Sequence, residues 1–223
     1  MKVIGVTGGV GAGKSEVLGY IAEHWNATVV EADEVGYLVM RPGKACYSSI
    51  VDLFGTEIVK EDQTLDRELI AKIVFENKEM LAKMNGIVHP AVKEYIKKAI
   101  KREEENETNI FIVEAALLIE DKYDEICDEL WYIYADEETR MERLKQNRGY
   151  SEEKCRSIFR NQLSEEEFSD HCDFEIDNSD DFEKTKEQIQ QKMQRMQIDE
   201  VIVLQAEAAE IVYMWEVIRR IFW

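Results

Sequence analysis

Proline is almost missing from this chain of 223 residues: it occurs only at Pro42 and Pro90, which excludes a proline-rich linker between domains. The four cysteines, Cys46, Cys127, Cys155 and Cys172, contain no CxxC pair. A disulfide framework is therefore not expected, and the thiols read as reduced, as in a cytoplasmic protein. Cys155, His171 and Cys172 cluster in sequence, but their spacing matches no standard zinc site. Positive charge is also scarce. Twenty-eight Lys and Arg against 47 Asp and Glu leave a formal net charge of −19, which opposes nonspecific adhesion to nucleic acid or to an anionic membrane. No apolar run of about eighteen residues is uninterrupted by charge, so no membrane span is expected. The N-terminus enters a strand pattern directly, without a basic-plus-apolar signal segment. What remains is ordinary globular composition, 45% hydrophobic and 9% aromatic, enough to bury one α/β core with insertions.

Against that background one motif stands out. Gly8-Gly9-Val10-Gly11-Ala12-Gly13-Lys14-Ser15 is a complete GxxxxGKS loop, directly after the apolar run Val3-Ile4-Gly5-Val6. Glycines let the backbone curl so that successive N–H groups turn inward on a phosphate, and a helix opening behind them adds the positive end of its dipole. Lys14 can reach the β- and γ-phosphates, and the Ser15 hydroxyl can ligate Mg²⁺. An acidic chain can bind an anion here because the field is set locally by these donors, a few cations and the metal.

Strand-length apolar runs recur between helical stretches: Val3–Val6, Thr28–Glu31, Ile110–Ala115, Leu130–Tyr134 and Phe174–Ile176. This rhythm predicts a P-loop NTPase fold of the α/β class, a five-stranded parallel sheet flanked by helices. The first helix is expected from Lys14 to about Trp25, packing Val17, Leu18 and Ile21 on the sheet. The expected nucleotide-binding core is residues 1–35, 108–136 and 173–197. Residues 36–107 read as a helical insert holding an acceptor substrate, with helices beginning near Ala45, Asp66, Lys78 and Pro90. Residues 137–172 read as a helical lid carrying Arg140, Arg143, Arg148, Arg156 and Arg160, with a turn at Gly149 and a second helix from Ser151. The tail, 198–223, reads as one apolar helix that packs on its own domain or mediates self-association into a homo-oligomer.

A P-loop does not by itself say what happens to the nucleotide. Asp52-Leu53-Phe54-Gly55 and Asn77-Lys78-Glu79-Met80 imitate GTPase motifs, but the first falls in the helical insert and the second lacks its final Asp. A compact chain with a helical insert and a basic lid fits a small-molecule kinase. Asp33, at the carboxyl edge of the second strand, can accept a proton from an attacking hydroxyl or hold a water on Mg²⁺. Glu114 ends the third strand as a carboxylate in a Walker-B-like context.

The ordered set of motifs resembles the dephospho-coenzyme A kinases. It runs through Thr7 to Ser15, Ala32-Asp33, Arg41-Pro42-Gly43, Phe54-Gly55, Leu65-Asp66-Arg67, His89-Pro90, Glu114 to Glu120, Arg143 to Glu153, Gln162 and Ile176-Asp177-Asn178, over about residues 2–193. The resemblance implies transfer of phosphate from ATP, with Mg²⁺, to the ribose 3′-hydroxyl of dephospho-coenzyme A. It implies Asp33 as base or hydroxyl-orienting group, with Lys14 acting on the transferring phosphoryl. Arg143 and Arg148 become lid contacts to ATP, and Asn178 comes near adenine. Arg67 and His89, with Glu114, become contacts to the acceptor. His89 reads equally well as a structural residue at a helix start. The chain departs from the family at Glu16, an acid beside the phosphate loop where a small residue is usual. The alternatives are a nucleoside or nucleotide kinase of the same architecture, a nucleotide-binding regulator without turnover, and a membrane-associated factor acting through the tail.

Overall fold

The computed structural model describes residues 1–197. Residues 1–179 form one compact unit and the chain from residue 180 a second, in which a helix covers 182–197. The apolar tail expected to self-associate, 198–223, lies outside the described residues.

The first unit is a five-stranded sheet in the order β2-β3-β1-β4-β5, with every neighbouring pair parallel. The strands are β1 (Lys2–Thr7), β2 (Ala27–Glu31), β3 (Ile110–Glu114), β4 (Glu129–Tyr134) and β5 (Phe174–Asp177). All five were legible as apolar runs. The middle strands are covered on both faces, and Ile4, Val6, Phe111, Ile112, Val113, Trp131 and Ile133 have no exposed surface. This is why β3 reads as a continuous apolar run instead of an alternating one. The chain leaves β1 to one side for β2 and β3 and to the other for β4 and β5. The carboxyl end of β1 therefore opens where the strand order changes direction, the usual ligand crevice of such sheets.

Helix α1 (Lys14–His24) follows the loop after β1 and buries Val17, Leu18, Tyr20 and Ile21. Between β2 and β3 come α2 (Ala32–Val39), α3 (Tyr47–Phe54), α4 (Arg67–Glu76) and α5 (Lys78–Glu105). Asp66 caps α4 by accepting from the Leu69 N–H, and Asn77 caps α5 by accepting from Glu79 and Met80. That capping role explains why Asn77-Lys78 only imitates a GTPase motif. After β4 come α6 (Glu137–Arg148), α7 (Glu152–Phe159) and α8 (Glu165–His171). Gly149 ends α6 in a left-handed conformation at φ 62°, and the Ser151 side chain caps α7, as the sequence indicated.

Two expectations are corrected. No helix begins at Pro90, because α5 runs through it unbroken for 28 residues. Val88, Val92, Ile96 and Ala99 form one buried stripe across that point. Burying such side chains is worth about 1.5–3 kcal/mol each, more together than the ~3 kcal/mol an internal proline costs. Secondly, Asp33 is not on the edge of β2 itself: the strand ends at Glu31 and Ala32 begins α2 immediately, so Asp33 stands in a first helical turn.

Pro90 is exposed and leaves the Gly86 carbonyl without its helical donor. Pro90→Ala is expected to stabilise the protein by about 1–3 kcal/mol, seen as a higher urea midpoint. A lower midpoint would mean that the proline ring, not the apolar stripe, organises this part of α5.

Candidate active site

The phosphate loop, residues 8–13, leaves the central strand and enters α1 through left-handed glycines. Gly11 and Gly13 have φ of 89° and 86°. At Gly8 a side chain is excluded by proximity as well as torsion, because a Cβ would collide with the Ile133 carbonyl oxygen of β4. The N–H groups of Gly11, Gly13, Lys14 and Ser15 make no hydrogen bond among the described residues. They are the donors such a loop offers to an anion.

The loop carbonyls of Gly8, Gly9, Val10 and Ala12 are tied down, all but one of them by donors outside the loop. Lys14 Nζ donates to the Gly8 carbonyl at 2.9 Å, and Ala12 N–H to Gly9 at 3.1 Å. Arg140 Nε donates to the Val10 carbonyl at 3.0 Å. The Ala12 carbonyl accepts from Asn178 Nδ2 at 2.8 Å and from Arg143 at 3.4 Å. Asn178, expected near adenine, is fully buried and commits its amide to the loop. Arg148, the other lid arginine singled out, is exposed at the end of α6 and has no contact with the loop among the described residues. Glu16 points no side-chain bond back at the loop either, and is exposed in the first turn of α1.

Lys14 also pairs with Glu114 at 3.5 Å, both side chains being mostly buried. Burial raises the Glu114 pKa above its ordinary value, Asp33 and Glu31 push it further up, and Lys14 opposes them. Glu114 is thus coupled both to Lys14, at the end of the phosphate loop, and to Asp33.

Asp33 is exposed at the rim of a cavity of about 270 Å³ between α2, α5 and the segment after β3. Its wall includes Tyr37, His89, Leu117, Asp121 and Tyr123. His89 Nδ1 lies 2.9 Å from Asp121 Oδ1, and Lys93 donates to the Asp121 backbone carbonyl. Burial, with nearby Asp121, Cys127 and Asp33, pushes the Tyr123 hydroxyl up to about 12. Arg67, at the start of α4, stacks its guanidinium 3.5 Å over the Tyr37 ring. The structure therefore brings Asp33, His89 and, through Tyr37, Arg67 to one cavity. Nothing in the residue pattern singles out Tyr37, Asp121 or Tyr123.

The defining sequence pattern of the dephospho-CoA kinases matches residues 2–186. The chain belongs to the dephospho-CoA kinase family. The dephospho-CoA kinase of Carboxydothermus hydrogenoformans is 35% identical over 85% of this chain and 91% of its own. That of Oceanobacillus iheyensis is 34% identical over 88% of this chain and 98% of its own. A solved structure from Thermus thermophilus superposes with TM-score 0.74 at 25% identity, covering 87% of this chain and 97% of that one. The dephospho-CoA kinase structure from Campylobacter jejuni shares the fold, with TM-score 0.65 at 23% identity over 88% and 98% of the two chains. Within this member of the family, Arg140 is a loop contact that sequence reasoning counted only as one lid arginine among five. The available signal was position: it lies one turn before buried Leu144, on the face of α6 that packs inward.

Because the folded pKa of Glu114 is raised, its contribution to stability is fully present below the unfolded pKa and is lost as pH rises through the folded one. Glu114→Gln should therefore gain on the natural protein in urea unfolding as pH rises from 5 to 7.5. A gain that shrinks with pH would mean that Lys14 outweighs burial.

Proposed function

We infer that this protein transfers the γ-phosphoryl group of ATP to the ribose 3′-hydroxyl of dephospho-coenzyme A, giving coenzyme A and ADP, the last step of coenzyme A biosynthesis. The observation that carries the reading, beside family membership, is that Glu114 pairs with Lys14 and is also repelled by Asp33. It brings a triphosphate loop and an acid-rimmed cavity to one edge of the sheet. In this reading helices within 36–107 form the acceptor-binding insert and 137–172 the lid over the nucleotide.

The N–H groups of Gly11, Gly13, Lys14 and Ser15 hold the phosphates, and Lys14 swings from Gly8 and Glu114 to the transferring group. Asp33 accepts the hydroxyl proton as the ribose oxygen bonds to phosphorus and the bond to the ADP oxygen breaks. His89, with Nδ1 engaged by Asp121, and Arg67 on Tyr37 orient the acceptor. Arg143 reaches the loop from the lid, and Arg148 is available to ATP only through movement of that segment. The Ser15 hydroxyl is exposed at the start of α1 and is a hard oxygen donor that suits Mg²⁺. When bound, that ion supplies charge neutralisation across the phosphates. Reduced Cys46, Cys127, Cys155 and Cys172 fit the cytoplasm as its compartment. Among the described residues no helix is long and apolar enough to cross a membrane.

ADP release measured with ATP and Mg²⁺ is expected to require dephospho-coenzyme A and to match coenzyme A formed. Turnover with a nucleoside or a monophosphate instead would reassign the acceptor. Asp33→Asn should lower kcat by about 10²–10⁴-fold while ATP still binds, and an undiminished rate would remove Asp33 from the reaction. Lys14→Ala should lose both turnover and triphosphate affinity in the same assays.

A further inference from the structure

Arg140 is only 7% exposed, yet it forms no ion pair among the described residues. A buried charge normally needs either an opposite charge or a full set of hydrogen-bond acceptors. Here the guanidinium meets two neutral acceptors and an aromatic ring instead. Nε donates to the Val10 carbonyl at 3.0 Å, one terminal nitrogen donates to Gln162 Oε1 at 2.7 Å, and the Phe159 ring lies 4.3 Å away. The same Gln162 oxygen accepts from the Val10 N–H at 3.2 Å.

These contacts close a ring. Both polar groups of Val10, at the tip of the phosphate loop, are held by one fork and one amide. The fit continues at Gly9, where a Cβ would run into the guanidinium. Opposite it, a Cβ on Gly11 would come within 2.9 Å of the Arg140 backbone oxygen. Two glycines of the loop thus make room for this one residue as well as for a phosphate.

We propose that Arg140 is a positioning residue for the nucleotide: by fixing the Val10 carbonyl outward and Gln162 on the Val10 N–H, it keeps the loop's donors convergent before ATP arrives. The geometry needs a planar fork. Lysine keeps the charge but offers one compact ammonium, which cannot reach Val10 and Gln162 with the same orientation. The role also links lid to loop, because Gln162 and Phe159 follow α6 in the segment that would close over the nucleotide. It rests on the reading that the loop holds ATP.

The test measures Mg-ATP binding by calorimetry, without acceptor, in the natural protein, Arg140→Ala, Arg140→Lys and Gly9→Ala. Each variant is expected to weaken binding about tenfold or more, the size of one lost hydrogen bond to a charged group. The KM for dephospho-coenzyme A should stay within about twofold. Millimolar guanidinium should restore a substantial part of the affinity of Arg140→Ala and none of that of Gly9→Ala. If Arg140→Ala does not fold, Arg140→Lys, whose urea midpoint should stay near that of the natural protein, carries the comparison with Gly9→Ala. Unchanged ATP affinity in Arg140→Lys and Gly9→Ala overturns the proposal. So does a loss of affinity that tracks a fall in urea midpoint and a rise in acceptor KM. Failure of the natural protein to bind ATP would instead overturn the reading of the loop.

Discussion

A loop that turns its N–H groups toward one point must turn its carbonyl oxygens away from it, and the protein has to satisfy those oxygens. Much of the unit of residues 1–179 is arranged around that constraint. The Gly8 carbonyl takes Lys14, Gly9 takes Ala12, Val10 takes Arg140, and Ala12 takes Asn178 with help from Arg143. The donors come from α1, from α6 and from the end of β5, so the loop is braced from several elements. Without that brace the carbonyls would compete for the N–H groups, and a collapsed loop would have to be reopened by the nucleotide at a cost in affinity.

The same arrangement reconciles an acidic protein with a polyanionic ligand. A net charge of −19 describes the whole chain, whereas the crevice at the end of β1 is set by oriented amides, a helix N-terminus, Lys14 and nearby arginines. Charge of the opposite sign is spaced across it. Glu114 is mostly buried beside Lys14, and Asp33 is exposed at the cavity rim. The site separates the two by environment, one carboxyl buried beside an ammonium and one exposed over a cavity.

The sheet and the phosphate loop were legible because they use strong local rules. Five buried strands are apolar runs of the right length, and the loop needs glycine, lysine and a hydroxyl at fixed spacing. The helix starts near Asp66, Lys78 and Ser151 were equally local, each set by a side-chain cap at the helix entrance. The reading failed where long-range packing overrode a local rule, as at Pro90, whose helix is held by an apolar stripe on either side. It also failed at the junction of β2 and α2, which has no loop to announce it. The roles of Arg140, Asp121 and Tyr37 were not legible for another reason. Each acts through a partner distant in sequence, Val10, His89 and Arg67 respectively, and no spacing rule within one element reports such pairs.

The direct passage of β2 into α2 also sets where this chain can change length. A residue inserted between Glu31 and Ala32 would rotate everything after it by about 100° about the helix axis and carry Asp33 off the cavity rim. The turn at 60–64 carries no such phase relationship to the crevice and can lengthen or shorten while the carboxylate stays in place. Divergent members of such a lineage should therefore differ by gaps in that turn and keep the strand-to-helix junction in register, whatever substitutions accumulate around it.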